Sequence, residues 1–220
     1  MAMVRRLAVT LLRHGLTEEN KQKQYIGYCD PPLCEEGRIE LYRLHRNKGY
    51  PEPGAILASD RMRCVETAEV LFPESKVQIS PALREMHFGE WERKTYGDLC
   101  GIQRYRDWID DPIGVCPPGG ESYQDFENRV RGAWHREIWP SAEESGHVIV
   151  VTHGGPIRYL LSEFAPERRE MWAWPVSHGK GYTLYWNETK GRLKKRCTLL
   201  QEAPFTEKPN GCSSTILPQG

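Results

Sequence analysis

The stretch Leu7-Ala-Val-Thr-Leu-Leu12, followed directly by Arg13-His14-Gly15, carries the strongest structural signal in the chain. Its nearly continuous apolar run is typical of a strand that is buried on both faces of a parallel sheet. Polar residues at the carboxyl end of such a strand stand where open α/β sheets bind ligands. The stretch therefore predicts a buried strand that brings an arginine and a histidine to a cleft.

Two more apolar runs, Ala55-Ile-Leu-Ala58 and Val148-Ile-Val-Val151, have the same character. Apolar spacing and proline stops predict helices between and after them, over residues 36–46, 62–71 (stopped by Pro73), 123–138 (stopped by Pro140) and 156–164. Ser122 and Asp125 match a capping box at the start of the third helix. Because strands alternate with helices, the pattern predicts a single α/β domain.

The C-terminal part has a different pattern. Tyr182-Thr-Leu-Tyr-Trp186 and residues 193–200 are predicted to be two strands of a hairpin, joined around residues 187–191. From Gln201 onward the composition becomes polar and rich in turn-forming residues. Such a segment buries too little apolar surface to offset its ordering entropy, so we expect a domain over residues 1–200 and a flexible tail over 201–220.

Composition argues against several classes of protein. The 220 residues include 30 lysines and arginines and 30 aspartates and glutamates, so no overall basic field favours nucleic acid or a membrane surface as a partner. No apolar run is long enough to span a bilayer and no signal peptide is evident, so we expect a cytoplasmic protein. The seven scattered cysteines contain no C-x-x-C pair, which argues against a disulfide framework and a structural zinc site.

His14 is the first candidate for chemistry. A neutral imidazole nitrogen can attack phosphorus, Arg13 can hold phosphate oxygens through forked hydrogen bonds, and Gly15 allows close approach of the backbone. An isolated Arg-His-Gly triplet is nevertheless more often an ordinary loop. A second His-Gly pair changes that balance, because His153-Gly154 also follows an apolar strand and precedes a helix whose N-terminus suits an anion.

The third element, Ser59-Asp-Arg-Met-Arg63, places two arginines at the start of a helix, where cations oppose the helix dipole unless an anion is bound. Surface charge is the commoner role for such arginines. Alongside the two His-Gly pairs, we favour Arg63 as a phosphate ligand.

Residues 5–200 resemble the histidine phosphatase superfamily, which includes cofactor-dependent phosphoglycerate mutases and many small phosphatases. The resemblance implies a three-layer α/β/α fold with a mostly parallel sheet. It also implies a site formed by Arg13, His14, Arg63, Glu85 and His153, with Thr17 and Asn20 matching the first motif. Glu85 is selected over Glu90 and Glu92 by the resemblance alone. No metal or other cofactor is implied.

The implied reaction is phosphomonoester hydrolysis through a phosphohistidine at His14. Arg13, Arg63 and His153, with the backbone at Gly154, would neutralise the phosphoryl group, and Glu85 would donate a proton to the leaving oxygen. A small phosphorylated metabolite is the expected partner, and a homo-oligomer is left open.

Four positions depart from the family pattern. Leu16 replaces a frequent acid, Cys34 replaces a helix-capping hydroxyl, and Arg93 stands where glycine is frequent, while His87 lies in the same segment as Glu85. None of the four removes a catalytic group. Cys34 is expected to cap its helix weakly, and His87 and Arg93 bear on substrate specificity.

The segments 85–91 and 117–123 are similar to those of α-ribazole phosphatases, which act in cobalamin assembly. α-Ribazole 5′-phosphate is therefore the favoured substrate. A broad-specificity phosphatase, a phosphoglycerate mutase and an inactive phospho-ligand-binding or scaffold protein are the alternatives. Aromatic residues that could cover a substrate, although core packing is their commoner role, are Tyr25, Tyr28, Trp91, Tyr96 and Trp108.

Overall fold

The computed structural model describes residues 6–47, 49–187 and 195–205. Its strands are β1 (Arg6–Arg13), β2 (Ala55–Ser59), β3 (Val77–Ser80), β4 (His147–Thr152), β5 (Gly181–Asn187) and β6 (Leu199–Ala203). Its helices are α1 (Glu18–Lys21), α2 (Glu35–Arg46), α3 (Met62–Leu71), α4 (Tyr96–Leu99), α5 (Gln103–Asp110), α6 (Tyr123–Ala133), α7 (Trp139–Ser145) and α8 (Gly154–Phe164). Short 3₁₀ segments cover Pro81–Leu83, Gly89–Trp91 and Met171–Ala173.

The six strands form one sheet in the order β3-β2-β4-β1-β5-β6. The neighbours β3, β2, β4 and β1 are mutually parallel, whereas β5 pairs with both β1 and β6 in antiparallel fashion. The mostly parallel sheet is therefore confirmed. The three strands recognised from their apolar runs are the central ones, which explains why their sequences are apolar at almost every position.

Alternate residues of each central strand face two separate cores. In β4, Val148 and Val150 belong to the larger core, and Ile149 and Val151 to the one on the opposite face. The larger core includes residues of α6 and α8, and the smaller one residues of α2 and α3. Helices thus cover both faces of the sheet, and the three-layer α/β/α architecture is confirmed.

The predicted end of the third helix at Pro140 is wrong. A π-helical turn over Trp134–Ile138 joins α6 directly to α7, which continues to Ser145. Pro140 falls in the first turn of α7, where the missing N–H costs little. At the start of α6, the Ser122 hydroxyl accepts the Asp125 N–H at 3.1 Å, so the predicted helix start is confirmed. The Asp125 carboxylate accepts from the Ser122 hydroxyl at 2.6 Å, so the pair is not the reciprocal capping box that was predicted.

The predicted end of the folded domain also needs correction. β6 runs to Ala203, which is buried, so residues 201–203 pair with β5 instead of belonging to a flexible tail. The exposed Gln201 and Glu202 of this edge strand continue into a polar segment, so the sequence pattern did not mark where the strand ends. The predicted second strand over residues 193–200 is wrong for residues 195–198, because β6 begins only at Leu199. Most of the predicted turn and the tail after residue 205 lie outside the described residues.

Candidate active site

The sheet order brings the ends of β1, β4 and β2 together. Arg13 pairs with Thr152 in the parallel register of β1 and β4, so the next residue of each strand, His14 and His153, leaves the sheet at the same edge. Their ring centroids are 5.2 Å apart. On the other side of β4, β2 leads into the segment that carries Arg63 at the start of α3. Three predicted elements therefore meet at one edge of the sheet.

His14 is held as a neutral imidazole with one nitrogen free. Its Nδ1 atom lies 2.7 Å from the carbonyl oxygen of Gly15. A carbonyl can only accept, so Nδ1 carries the proton and Nε2 keeps its lone pair. Burial, followed by the charges of Arg63 and nearby basic groups, holds the pKa of His14 well below its ordinary value. The arrangement therefore favours a nucleophilic Nε2 atom.

His153 is the N-cap residue of α8 and is almost completely buried. Its Nε2 atom lies 3.0 Å from the hydroxyl oxygen of Ser59. Burial first, and then the charges of Arg63 and Arg13, lower the pKa of His153 well below its ordinary value. A neutral donor beside the N-terminal N–H groups of a helix suits an anion.

The guanidinium groups of the fully buried Arg63 and the half-buried Arg13 keep N–H donors that are not used within the described residues. Arg63 donates through Nη1 to the Cys29 carbonyl at 2.9 Å and through Nη2 to the Gly27 carbonyl at 2.9 Å. Arg13 donates through Nη1 to the Val176 carbonyl at 2.7 Å. The Nε atoms of both arginines are buried and have no partner within the described part of the chain. Burial, the largest influence, lowers the pKa of Arg13 to about 10.

Glu85 lies against the start of α8, near the histidine pair. Its two carboxyl oxygens accept the N–H of Met86 and the N–H of Gly155, each at 2.9 Å. A Cβ atom on Gly155 would come within 2.1 Å of Glu85 Oε1, so this approach requires glycine. Arg129 anchors the preceding turn by donating to the carbonyls of Ala82, Arg84 and Glu85.

Thr17 and Asn20 bond mainly to each other. Thr17 caps α1, its hydroxyl accepting the Asn20 N–H at 3.2 Å, and the Asn20 side-chain oxygen accepts the Thr17 N–H at 3.3 Å. Thr17 is fully buried. These contacts shape the loop that follows His14, so the geometry favours loop positioning over direct contact with a substrate.

Sequence analysis missed His178, which is close to His14. The two rings lie 5.3 Å apart, and His178 Nδ1 is 3.2 Å from the carbonyl oxygen of His14. Burial, followed by the charge of Arg13, lowers the pKa of His178 to about 4. No motif or spacing marks this residue, which lies in the turn just before β5 and reaches the site because β5 pairs with β1. Ser59 is the first residue of the Ser59–Arg63 motif, and its hydroxyl contacts His153.

Most of the candidate aromatic residues belong to packing. Trp91 and Trp108 are buried in a small third core, Tyr25 packs against that core, and its hydroxyl lies 2.6 Å from that of Tyr105. Tyr96 is exposed on α4. Tyr28 differs, because its ring lies 4.4 Å from that of His87 and 5.0 Å from the Arg84 guanidinium.

The departures from the family pattern have local explanations. The Cys34 sulfur accepts the Gly37 N–H at 3.4 Å, so a thiol caps α2 where a hydroxyl is usual. Arg93 has φ = 62°, a left-handed conformation that glycine adopts without strain. The Leu16 side chain replaces the frequent acid, while its carbonyl accepts the Cys34 N–H at 3.0 Å.

One group of possible metal-ligating side chains, Glu18, Cys34 and Glu36, is found among the described residues. The Lys21 ammonium forms ion pairs with both glutamates, at 3.2 Å and 2.8 Å, and so already compensates their charge. None of the helices in the described ranges has the length and apolar character needed to span a membrane.

The fold defines the class as a three-layer α/β protein, with a cluster of arginine and histidine side chains at the carboxyl ends of its parallel strands. The chain belongs to the histidine phosphatase superfamily (branch 1), whose sequence model matches residues 9–198.

Similar proteins differ in their named substrates. An adenosylcobalamin/alpha-ribazole phosphatase of Escherichia coli is 30% identical over 174 residues, which cover 77% of this chain and 85% of that protein. A glucosyl-3-phosphoglycerate phosphatase of Mycolicibacterium vanbaalenii is 32% identical over 200 residues, which cover 87% and 86%. The crystal structure of the alpha-ribazole phosphatase from Shigella flexneri has a TM-score of 0.74 at 25% identity and covers 87% of this chain and 95% of that one.

Proposed function

We propose that the protein is a phosphomonoester hydrolase that works through a phosphohistidine at His14 and needs no metal ion. The observation that carries this proposal is the pair of buried Nε atoms of Arg13 and Arg63, which have no hydrogen-bond partner among the described residues. A buried donor without a partner costs free energy in an empty site. An anion placed beside the neutral His14 and His153 would satisfy both donors, and a phosphate ester fits this requirement.

In the first step, the lone pair on His14 Nε2 attacks phosphorus in line, and the bond from phosphorus to the ester oxygen breaks. The guanidinium groups of Arg13 and Arg63, with His153, stabilise the charge on the transferring oxygens. Glu85 donates a proton to the leaving oxygen, so the product leaves as an alcohol instead of an alkoxide.

In the second step, water attacks the phosphohistidine and Glu85 accepts a proton from that water. Inorganic phosphate leaves, and His14 and Glu85 return to their starting states. The N–H contacts from Met86 and Gly155 direct the Glu85 carboxyl toward the site throughout the cycle.

α-Ribazole 5′-phosphate remains the favoured substrate, supported by the relatives of that name. Glucosyl-3-phosphoglycerate is a second candidate, because the phosphatase of that name matches a larger share of this chain at similar identity. A broad-specificity phosphatase and a phosphoglycerate mutase remain alternatives. A phospho-ligand-binding scaffold is disfavoured, because all five candidate catalytic side chains are retained.

The experiment is phosphate release from a panel of esters in the presence of EDTA. The panel contains α-ribazole 5′-phosphate, glucosyl-3-phosphoglycerate, 3-phosphoglycerate and an aryl phosphate. The unmodified chain is compared with His14→Ala and with His135→Ala, a matched control at an exposed histidine. We expect His14→Ala to lower turnover by at least about 1000-fold and His135→Ala to leave it unchanged.

The outcomes separate the candidates. A strong preference for α-ribazole 5′-phosphate supports the favoured assignment, and a preference for glucosyl-3-phosphoglycerate replaces it. Comparable turnover of all esters indicates a broad-specificity enzyme. Interconversion of 2- and 3-phosphoglycerate that depends on 2,3-bisphosphoglycerate identifies a mutase. Failure of the unmodified chain to release phosphate from any ester would reject the hydrolase.

A further inference from the structure

Glu92 accepts four backbone hydrogen bonds, an unusually large number for one side chain. Its Oε2 atom accepts the N–H of Gly27 at 3.0 Å and of Cys29 at 3.2 Å. Its Oε1 atom accepts the N–H of Tyr28 at 2.9 Å and of Phe88 at 3.0 Å. One half-buried carboxylate therefore binds the loop over residues 26–29, three of whose N–H groups converge on it.

The opposite sides of the same peptide groups face two arginines. The peptide group that supplies the Gly27 N–H also contains the Ile26 carbonyl. The next two peptide groups, which supply the N–H of Tyr28 and of Cys29, contain the carbonyls of Gly27 and Tyr28. Arg63 Nη2 donates to the Gly27 carbonyl at 2.9 Å, with a longer contact to the Ile26 carbonyl at 3.5 Å. Arg61 Nη1 donates to the Tyr28 carbonyl at 2.8 Å. Three consecutive peptide groups thus bridge one carboxylate to two guanidinium groups.

This bridge is rigid and electrostatically aligned. Because a trans peptide is planar, its N–H and C=O point in opposite directions and cannot be reoriented separately. The carboxylate at the N–H end and the cations at the C=O end both stabilise the observed dipole direction. Burial alone would raise the pKa of Glu92, but hydrogen bonds from the Cys29 thiol and the loop N–H groups outweigh it, so the pKa lies below its ordinary value.

The bridge also determines which N–H groups of Arg63 are already used in hydrogen bonds to the loop. With Nη1 on the Cys29 carbonyl and Nη2 on the Gly27 carbonyl, the guanidinium is anchored from the loop side, and Nε has no partner in the part of the chain that the structure describes. We propose that Glu92 is a positioning residue that fixes the orientation of Arg63 as a phosphate ligand by holding the peptide groups of residues 26–29. This role rests on the proposed function, because it assigns phosphate to Arg63.

The test measures binding of inorganic phosphate by titration calorimetry, which needs no turnover. Glu92→Gln keeps the size of the side chain but offers only one acceptor oxygen to the converging N–H groups and adds N–H donors facing them. We expect phosphate to bind about tenfold more weakly, and KM for an ester to rise more than kcat falls. The matched control is Glu90→Gln, at an exposed glutamate in the same segment, which should bind phosphate normally.

A double-mutant cycle separates positioning from general destabilisation. If Glu92 acts through Arg63, Glu92→Gln has little further effect on phosphate binding in an Arg63→Lys background. Additive losses would overturn the proposal, as would normal phosphate binding by a folded Glu92→Gln variant. Should Glu92→Gln fail to fold, Glu92→Asp keeps the charge but shortens its reach, and an intermediate loss of binding is expected; normal binding would again reject the role.

The two proposals fail in different ways. If the unmodified chain binds phosphate but hydrolyses no ester, the proposed hydrolase activity is rejected. The double-mutant cycle on phosphate binding then still tests the positioning role of Glu92. If the unmodified chain hydrolyses esters and the Glu92→Gln variant retains normal phosphate binding and an unchanged KM, only the positioning role is rejected.

Discussion

The Nδ1 atom of His14 lies 2.7 Å from the carbonyl oxygen of Gly15, and this single contact leaves Nε2 as the ring nitrogen without a proton. We expect brief exposure to a good substrate, followed by an alkaline quench that preserves N–P bonds, to yield His14 phosphorylated on Nε2. Phosphorus NMR of the quenched protein distinguishes the two nitrogen isomers. His14→Asn should give no signal, whereas a signal on Nδ1 or on His153 would contradict the assignment.

The lowered pKa of His14 predicts activity that persists into acid. In the proposed mechanism the unprotonated ring is the nucleophile, so a pKa below the ordinary 6.5 keeps the free enzyme competent as the pH falls through that value. The acidic limb of kcat/KM, which reports the free enzyme, should therefore lie well below pH 6.5. Esters with different phosphate pKa values provide the control. If the pH of the acidic limb changes from ester to ester, the limb reports ionisation of the substrate and not of His14. An ester-independent limb at pH 6.5 would refute the prediction.

Gly155→Ala should displace the proposed acid. The new Cβ would come within 2.1 Å of Glu85 Oε1, so the carboxyl must move. We expect kcat for an alkyl phosphate, whose leaving group needs a proton, to fall about 100-fold, and kcat for an aryl phosphate to fall much less. Gly101→Ala is the control, because a Cβ there meets nothing within 4 Å. Equal losses for both esters would argue against Glu85 as the acid.

Arg93→Gly should stabilise the protein slightly. Relieving the left-handed conformation of an L-residue stabilises the folded state by roughly 1–2 kcal/mol. The greater flexibility of glycine in the unfolded chain opposes this and destabilises the folded state by about 0.5–1 kcal/mol. We therefore expect the free energy of unfolding in urea to rise by about 0.5 kcal/mol. Lys94→Gly, at the next position, where φ is not positive, should lower it. A loss of stability in Arg93→Gly would mean that its side-chain contacts outweigh the strain.

The amino-acid sequence alone determined the central strands and the residues that follow them. Leu7–Leu12, Ala55–Ala58 and Val148–Val151 are apolar at nearly every position because parallel strands are covered on both faces, and this pattern needs no knowledge of distant contacts. Local signals also placed Ser122 at a helix start. The family motifs then selected the arginines, the histidines and Glu85.

Tertiary structure decided what depends on residues distant in sequence. His178 reaches His14, and Glu92 reaches the loop over residues 26–29, only through the packing of separate segments. The passage of the third helix through Pro140 likewise depends on a π-helical turn that local helix signals do not indicate. A local sequence pattern indicates how one segment is buried. The orientation of Arg63 and the hydrogen-bond partners of buried donors depend instead on groups from other segments of the chain that pack against them.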